Sequence, residues 1–222
     1  MKLAALFTGG KDSCYAMYKE MNNIVCLITI ISENKESFMY HTPNIEFTKL
    51  QAEAIQLPLI TKTTKGKKEE ELKELEEAIK EAIGKYQING ITTGAVASEY
   101  QASRIKNICE RLNIQCINPL WGRNQEELVR EIAKEFKIII SAVAAYPLDK
   151  SWLGKEINEE TINELVKLQK GKYEVSPMGE GGEYESTVID APFFKKKIKI
   201  LETETLFTKD SGIFKILKAK LL

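Results

Sequence analysis

A chain of 222 residues, 43% hydrophobic and 29% charged, is expected to bury a substantial core and is not a disordered polypeptide. Its 32 Lys and Arg residues offset 32 Asp and Glu, so no global basic field recruits nucleic acid, which is not an expected partner. No apolar stretch reaches the ~20 residues of a membrane span, and the short run from Met1 to Phe7 meets Gly9-Gly10-Lys11-Asp12 too early for a signal peptide. Cys14, Cys26, Cys109 and Cys116 form no CxxC pair; they read as reduced thiols of a cytoplasmic protein.

In chain order, short β-type runs alternate with helical ones. Leu3 to Phe7 is the first expected strand and Ser13 to Met21 its helix. Ile24 to Ile31 is apolar throughout, as for a strand covered on both faces of a parallel sheet. A loop with Pro43 follows, then a helix near Phe47 to Ile55 and a strand from Leu59 to Thr63. Between Lys67 and Tyr86, residues Leu72, Leu75, Ile79, Ala82, Ile83 and Tyr86 share one face at helical spacing, so this charged run predicts an amphipathic helix rather than a binding tail. Gly90 to Val96 reads as a strand and Ser103 to Leu112 as a helix. This rhythm predicts an α/β fold with a parallel sheet.

The pattern changes around Asn118-Pro119-Leu120-Trp121-Gly122, where Trp121 is expected in the core. A helix from Gln125 to Phe136, an apolar run from Ile138 to Ala145 and a helix capped by Asn158 and running through Leu168 come next. Strands are expected at Ser186–Ile189, Lys197–Glu204 and, after the turn at Lys209-Asp210, Gly212–Leu221. The expected organisation is therefore a parallel-sheet domain over residues 1–120 and a smaller α+β domain over 121–222. The oligomeric state is left open.

The stretch Thr8-Gly9-Gly10-Lys11-Asp12-Ser13 carries the chemistry. A turn from a parallel strand into a helix offers unpaired N–H groups and the positive end of the helix dipole, both suited to an anion. Gly9 and Gly10 permit close backbone approach, Lys11 adds a mobile positive charge, and Ser13 a hydroxyl. The plainer reading is a glycine turn with Asp12 or Ser13 capping the helix. The G-x-x-x-x-G-K-[ST] loop is absent, since Asp12 follows Lys11 and Ala5 stands at the first glycine, and so is G-x-G-x-x-G.

Thr8 to Ser13 does resemble the SGGKDS loop of N-type ATP pyrophosphatases, the PP-loop superfamily, with Thr8 for serine. Added to this are Ser37 to Asn44 (SFMYHTPN), Thr93 to Cys109, Asn118 to Leu128 and the segment GEGGEYESTVIDAPFF from Gly179 to Phe194. In this order they resemble the diphthine–ammonia ligase family over nearly the whole chain.

That resemblance implies a PP-loop (adenine nucleotide alpha hydrolase-like) domain and the final step of diphthamide synthesis. The substrates would be ATP, ammonia and elongation factor 2 bearing diphthine, a modified histidine with a free carboxylate. The carboxylate would be adenylated with release of pyrophosphate, ammonia would then displace AMP to give the amide, and Mg²⁺ would offset phosphate charge. It further implies that Thr8, Gly9, Gly10, Lys11 and Ser13 hold pyrophosphate, with Lys11, Asp12 and Ser13 catalytic; Asp12 is read as a Mg²⁺ ligand or a helix cap. Ser32 and Gly94, at carboxyl ends of expected strands, are assigned to the nucleotide. His41 is assigned to the ATP site or to a structural role. Glu180, Gly181, Gly182, Glu183, Tyr184 and Glu185 would face substrate, the carboxylates meeting the trimethylammonium of diphthine and Tyr184 adding cation–π attraction. Arg104 and Arg123 are read either as phosphate ligands or as surface residues.

Two other readings stand beside it. A tRNA-modifying PP-loop enzyme is disfavoured by the zero net charge and by the spacing Cys109-x6-Cys116, poor for a catalytic pair or a cluster. An ATP-binding sensor without turnover has no need of the acidic glycine loop.

Overall fold

In a computed structural model of the chain, which describes residues 1–33, 43–66 and 71–222, five parallel strands form one sheet and four antiparallel strands a second. His41 and most of the Ser37–Asn44 stretch lie outside the described residues, as do 67–70. Strands β1 (Leu3–Leu6), β2 (Ile24–Ser32), β3 (Leu59–Thr64), β4 (Gly90–Thr92) and β5 (Gln115–Ile117) alternate with helices α1 (Lys11–Lys19), α2 (Thr48–Ile55), α3 (Glu71–Tyr86) and α4 (Glu99–Arg111). Their order, β3-β2-β1-β4-β5, confirms the parallel α/β architecture.

The alternation along β1 shows how the sheet divides its cover. Leu3 and Ala5 face one core with α1 and α2, while Ala4 faces another with α3 and α4. The continuous apolar run of β2 is explained in the same way: Leu27 enters the first core, and Cys26, Ile28 and Ile30 the second. Leu75, Ala78, Ile79 and Ala82 are the buried stripe of α3, so its charges are a solvated face.

The second half comprises α5 (Gln125–Glu135), β6 (Lys137–Val143), α6 (Glu159–Lys170) and the strands β7 (Tyr184–Asp190), β8 (Ile198–Thr208) and β9 (Ser211–Leu221), in the order β7-β6-β9-β8. Asn158 caps α6 as expected, its Oδ1 accepting the Thr161 N–H at 3.0 Å. Its apolar residues do not form a separate core: Leu128, Ile132, Ile138, Leu165 and Phe193 join the cluster that holds Leu3, Phe7 and Tyr15. Trp121 departs from expectation. It is 39% exposed, at the surface turn where Gly122 takes a φ of +70°, and Leu120 fills the core instead. Among the described residues, no helix is long and apolar enough to cross a membrane.

Candidate functional site

Strand order reverses between β1 and β4, and ligands of open α/β sheets bind beyond the carboxyl ends of strands at such a switch point. The loops leaving these two strands meet there. Gly94, just past β4, lies so close to the start of α1 that a Cβ on it would stand 2.7 Å from Asp12 C and Ser13 N. Ser32 ends β2 on the same edge of the sheet, paired in register with Thr64.

The loop itself is tightly built. Helix α1 begins at Lys11 with Gly10 as N-cap and no side-chain cap bond, so neither Asp12 nor Ser13 caps it. The Ser13 hydroxyl instead turns back: it accepts the Thr8 N–H at 3.2 Å, lies 3.0 Å from Thr8 Oγ1 and donates to Gly10 O at 3.1 Å. Gly9 holds a φ of +75°, and a Cβ there would stand 2.1 Å from Gln51 Oε1. The uncapped amino end of α1 leaves orphan N–H groups and dipole charge for an anion.

The C-terminal half completes the loop, which sequence reading did not anticipate. Gly9 O accepts both the Val188 N–H at 2.9 Å and Gln51 Nε2 at 3.1 Å, and Gln51 Nε2 also reaches Val188 O at 2.8 Å. The Lys11 N–H donates to Ser186 Oγ at 3.2 Å. Gln51 is fully buried, a polar side chain on the inward face of α2, and that anomaly was the available signal. Ser186 offered none.

Lys11 is anchored rather than mobile. Only 3% exposed, its Nζ donates to Met178 O at 2.6 Å and to Asp12 Oδ2 at 2.8 Å, and stands 5.2 Å from the centre of the Tyr184 ring. Burial opposes its charge, but Asp12 first, then Tyr184 and Glu180, outweigh it and raise its pKa, so the ammonium is held protonated. Asp12 Oδ1 is buried without a hydrogen-bond partner. Tyr184 is 2% exposed, donates its hydroxyl to Pro177 O at 2.6 Å and presents its ring to Lys11.

The acidic glycine loop borders this cluster. Burial raises the Glu180 pKa, Asp12 adds to the rise, and Lys11 and a bond from the Ala97 backbone oppose it. Glu185 is open to solvent, yet protein crowding pushes its carboxyl upward too, against Lys11 and with Asp12 and Glu180. Glu183 folds its own loop, accepting Ser176 N–H at 2.8 Å on Oε1 and Gly181 N–H at 2.9 Å on Oε2. Gly182, with a φ of +80°, closes the turn by donating its N–H to Gly179 O at 3.0 Å.

The two arginines are engaged elsewhere. Arg123 pairs with Glu131 at 2.6 Å, in a network where Lys19 reaches the same carboxylate at 2.7 Å and Tyr15 donates its hydroxyl to it. Arg104 stacks on Tyr100, its guanidinium carbon 3.5 Å from the ring centre.

The model of the diphthamide synthase N-terminal domain matches residues 1–116, and that of the C-terminal domain residues 124–222. A rat protein named diphthine–ammonia ligase is 41% identical over 93% of this chain and 85% of its own length. A human protein of the same name is 38% identical over the same shares. A crystal structure titled "predicted subunit of tRNA methyltransferase" from Methanocaldococcus jannaschii covers 86% of this chain and 97% of its own. Its identity is 19% and its TM-score 0.44, a likeness too weak to bear on function. On the two domain matches and these identities, the chain belongs to the diphthamide synthase family of ligases.

Proposed function

We propose that the protein uses ATP to convert the carboxylate of diphthine on elongation factor 2 into an amide with ammonia, through an acyl-adenylate, releasing AMP and pyrophosphate. The observation that carries this reading is the uncapped start of α1 beside a buried, charged Lys11 and an unpartnered Asp12 oxygen, in a chain of this family. A carboxylate is a poor electrophile toward ammonia; adenylation gives it a good leaving group.

In this reading the N–H groups at the start of α1, with Thr8, Gly9, Gly10 and Ser13, bind the β,γ-pyrophosphate, and Lys11 stabilises the charge that develops as it departs. Ser32 and Gly94 border the nucleotide. The unpartnered Asp12 Oδ1 suits a hard cation, and Mg²⁺ bound there supplies neutralisation of phosphate charge. Asp12 is the residue that would hold the ion, and no group of three or more His, Cys, Asp or Glu stands ready for one among the described residues. Glu180 and Glu185 meet the trimethylammonium, and Glu183 with Gly181 and Gly182 shapes the loop that presents them. Residues 1–120 serve the nucleotide and 121–222 the substrate, across one shared core.

Incubation with diphthine-bearing elongation factor 2, ATP and ammonium, followed by mass analysis of the modified peptide, tests the reading. Acid converted to amide, with AMP and pyrophosphate in the medium, is expected, and Lys11→Ala lowers that turnover by ~10²-fold or more. An unchanged peptide, ADP with orthophosphate, or full turnover by Lys11→Ala refutes it.

A further inference from the structure

Cys109 and Cys116, with six residues between them in a spacing that suits no standard cysteine motif, are brought to one cavity by the turn from α4 to β5. Ile114 N–H closes that turn onto Cys109 O at 3.0 Å, and the next strand position but one returns the Cys116 thiol to hydrogen-bonding reach of Cys109. Both line a surface cavity of about 140 Å³ with Lys106, Glu110, Ile114 and Asn118. Cys109 is 1% exposed at the cavity floor, and Cys116 is half-buried. Cys14 and Cys26, by contrast, are fully buried in the cores.

The cavity also lies one residue from the candidate nucleotide site. Asn118, two positions after Cys116, accepts the Thr93 hydroxyl at 2.5 Å, and Thr93 N–H donates to Ile117 O at 3.0 Å. Thr93 precedes Gly94, the glycine packed against Asp12 and Ser13.

We propose that Cys109 and Cys116 form a peroxide-reactive dithiol whose closure to a disulfide displaces the Asn118–Thr93 link and weakens the hold of the Gly94 loop on the start of α1. The bond to Cys109, with Asn118 and Lys106, lowers the pKa of Cys116 against its burial, which makes it the attacking thiolate; Cys109, raised by that bond and by burial, is the resolving thiol. The Cys116 thiolate attacks one oxygen of hydrogen peroxide, breaking the O–O bond and releasing hydroxide to leave Cys116 sulfenic acid. The Cys109 sulfur then displaces that hydroxyl, forming the S–S bond and, with its proton, water. In sum, two thiols and one peroxide give one disulfide and two waters. Both thiols line one small cavity, so closing to the ~2 Å of a disulfide asks for local movement of β5, an edge strand three residues long.

The test uses the full chain exposed to hydrogen peroxide, alkylated, digested and weighed. A Cys109–Cys116 cross-linked peptide is expected, with Cys14 and Cys26 alkylated only after unfolding. Cys109→Ser should stop at a Cys116 sulfenic acid that dimedone traps, and Cys116→Ser should form neither. Displacement of a fluorescent ATP analogue should show the oxidised protein binding several-fold more weakly, with recovery on reduction and no change in Cys116→Ser. No cross-link, or equal reactivity of Cys14, overturns the dithiol. A cross-linked protein that binds the analogue as the reduced one does overturns the link to the loop. Since the cross-link is read without nucleotide, failure of the reduced chain to bind ATP would count against the proposed function instead.

Discussion

Replacing Gly94 by alanine isolates the contact on which the switch-point geometry depends. The added Cβ would stand 2.7 Å from Asp12 C and Ser13 N and 3.0 Å from Asp12 O, and ordinary contact begins at 3.4 Å, so 3.4 − 2.7 leaves 0.7 Å to be found. All three atoms are backbone, which no rotamer change can move. If the core resists, the overpacking costs about 1–3 kcal/mol, or ~2–12 °C of melting temperature in a chain of this size. If α1 gives way instead, its first turn shifts by most of an ångström, and misplacement on that scale costs up to ~10²-fold in rate. Gly94→Ala is therefore expected to lower either the melting temperature or the rate of pyrophosphate release, read by calorimetry and a coupled pyrophosphate assay on one preparation. Gly84→Ala is the control. Gly84 lies within α3 with nothing within 4 Å of its missing Cβ, so alanine should stabilise by ~0.4–1 kcal/mol and leave turnover alone. A Gly94→Ala protein with unaltered melting and unaltered turnover would refute the packing argument.

Two further outcomes follow from local geometry. Asn158→Ala removes the cap on the Thr161 N–H and should lower the melting temperature by about 2–4 °C, for a cost near 1 kcal/mol, with unchanged turnover; an unaltered melting curve would show the cap idle. Glu131 is pulled from 4.5 to about 2, first by its bond from Lys19, then by Tyr15 and Arg123, against burial. A carboxyl depressed by folding stabilises above its unfolded value, so that stability is present above pH 4.5 and disappears as pH falls through about 2. Its charged partners Lys19 and Arg123 are more than a third exposed, so screening limits the effect to about 1 kcal/mol or less. Wild type should melt above Glu131→Gln near neutrality, with the gap closing on acidification; a gap independent of pH would refute this.

Local information made much of this protein legible. The loop from Thr8 to Ser13 stands out because glycines, lysine and hydroxyl are adjacent in the chain, and α3 because its buried stripe repeats over 16 residues. Strand β5 escaped notice because three residues carry no period, and α4 begins at Glu99, earlier than its apolar face suggests, because Ser98 caps it. The partners of Lys11 were invisible for a different reason. One is a backbone carbonyl 167 residues away and another a hydroxyl 175 residues away, contacts set by how two sheets dock rather than by any pattern along the chain. The same holds for Tyr184, whose burial against Lys11 joins residues 173 positions apart.

Lys11 of the glycine loop is synthesised 175 residues before Ser186, which with Val188 fastens that loop. A nascent chain thus carries its glycines and lysine long before it can hold them in shape. The final shape of the loop waits on the synthesis of β7, a delay imposed by connectivity alone.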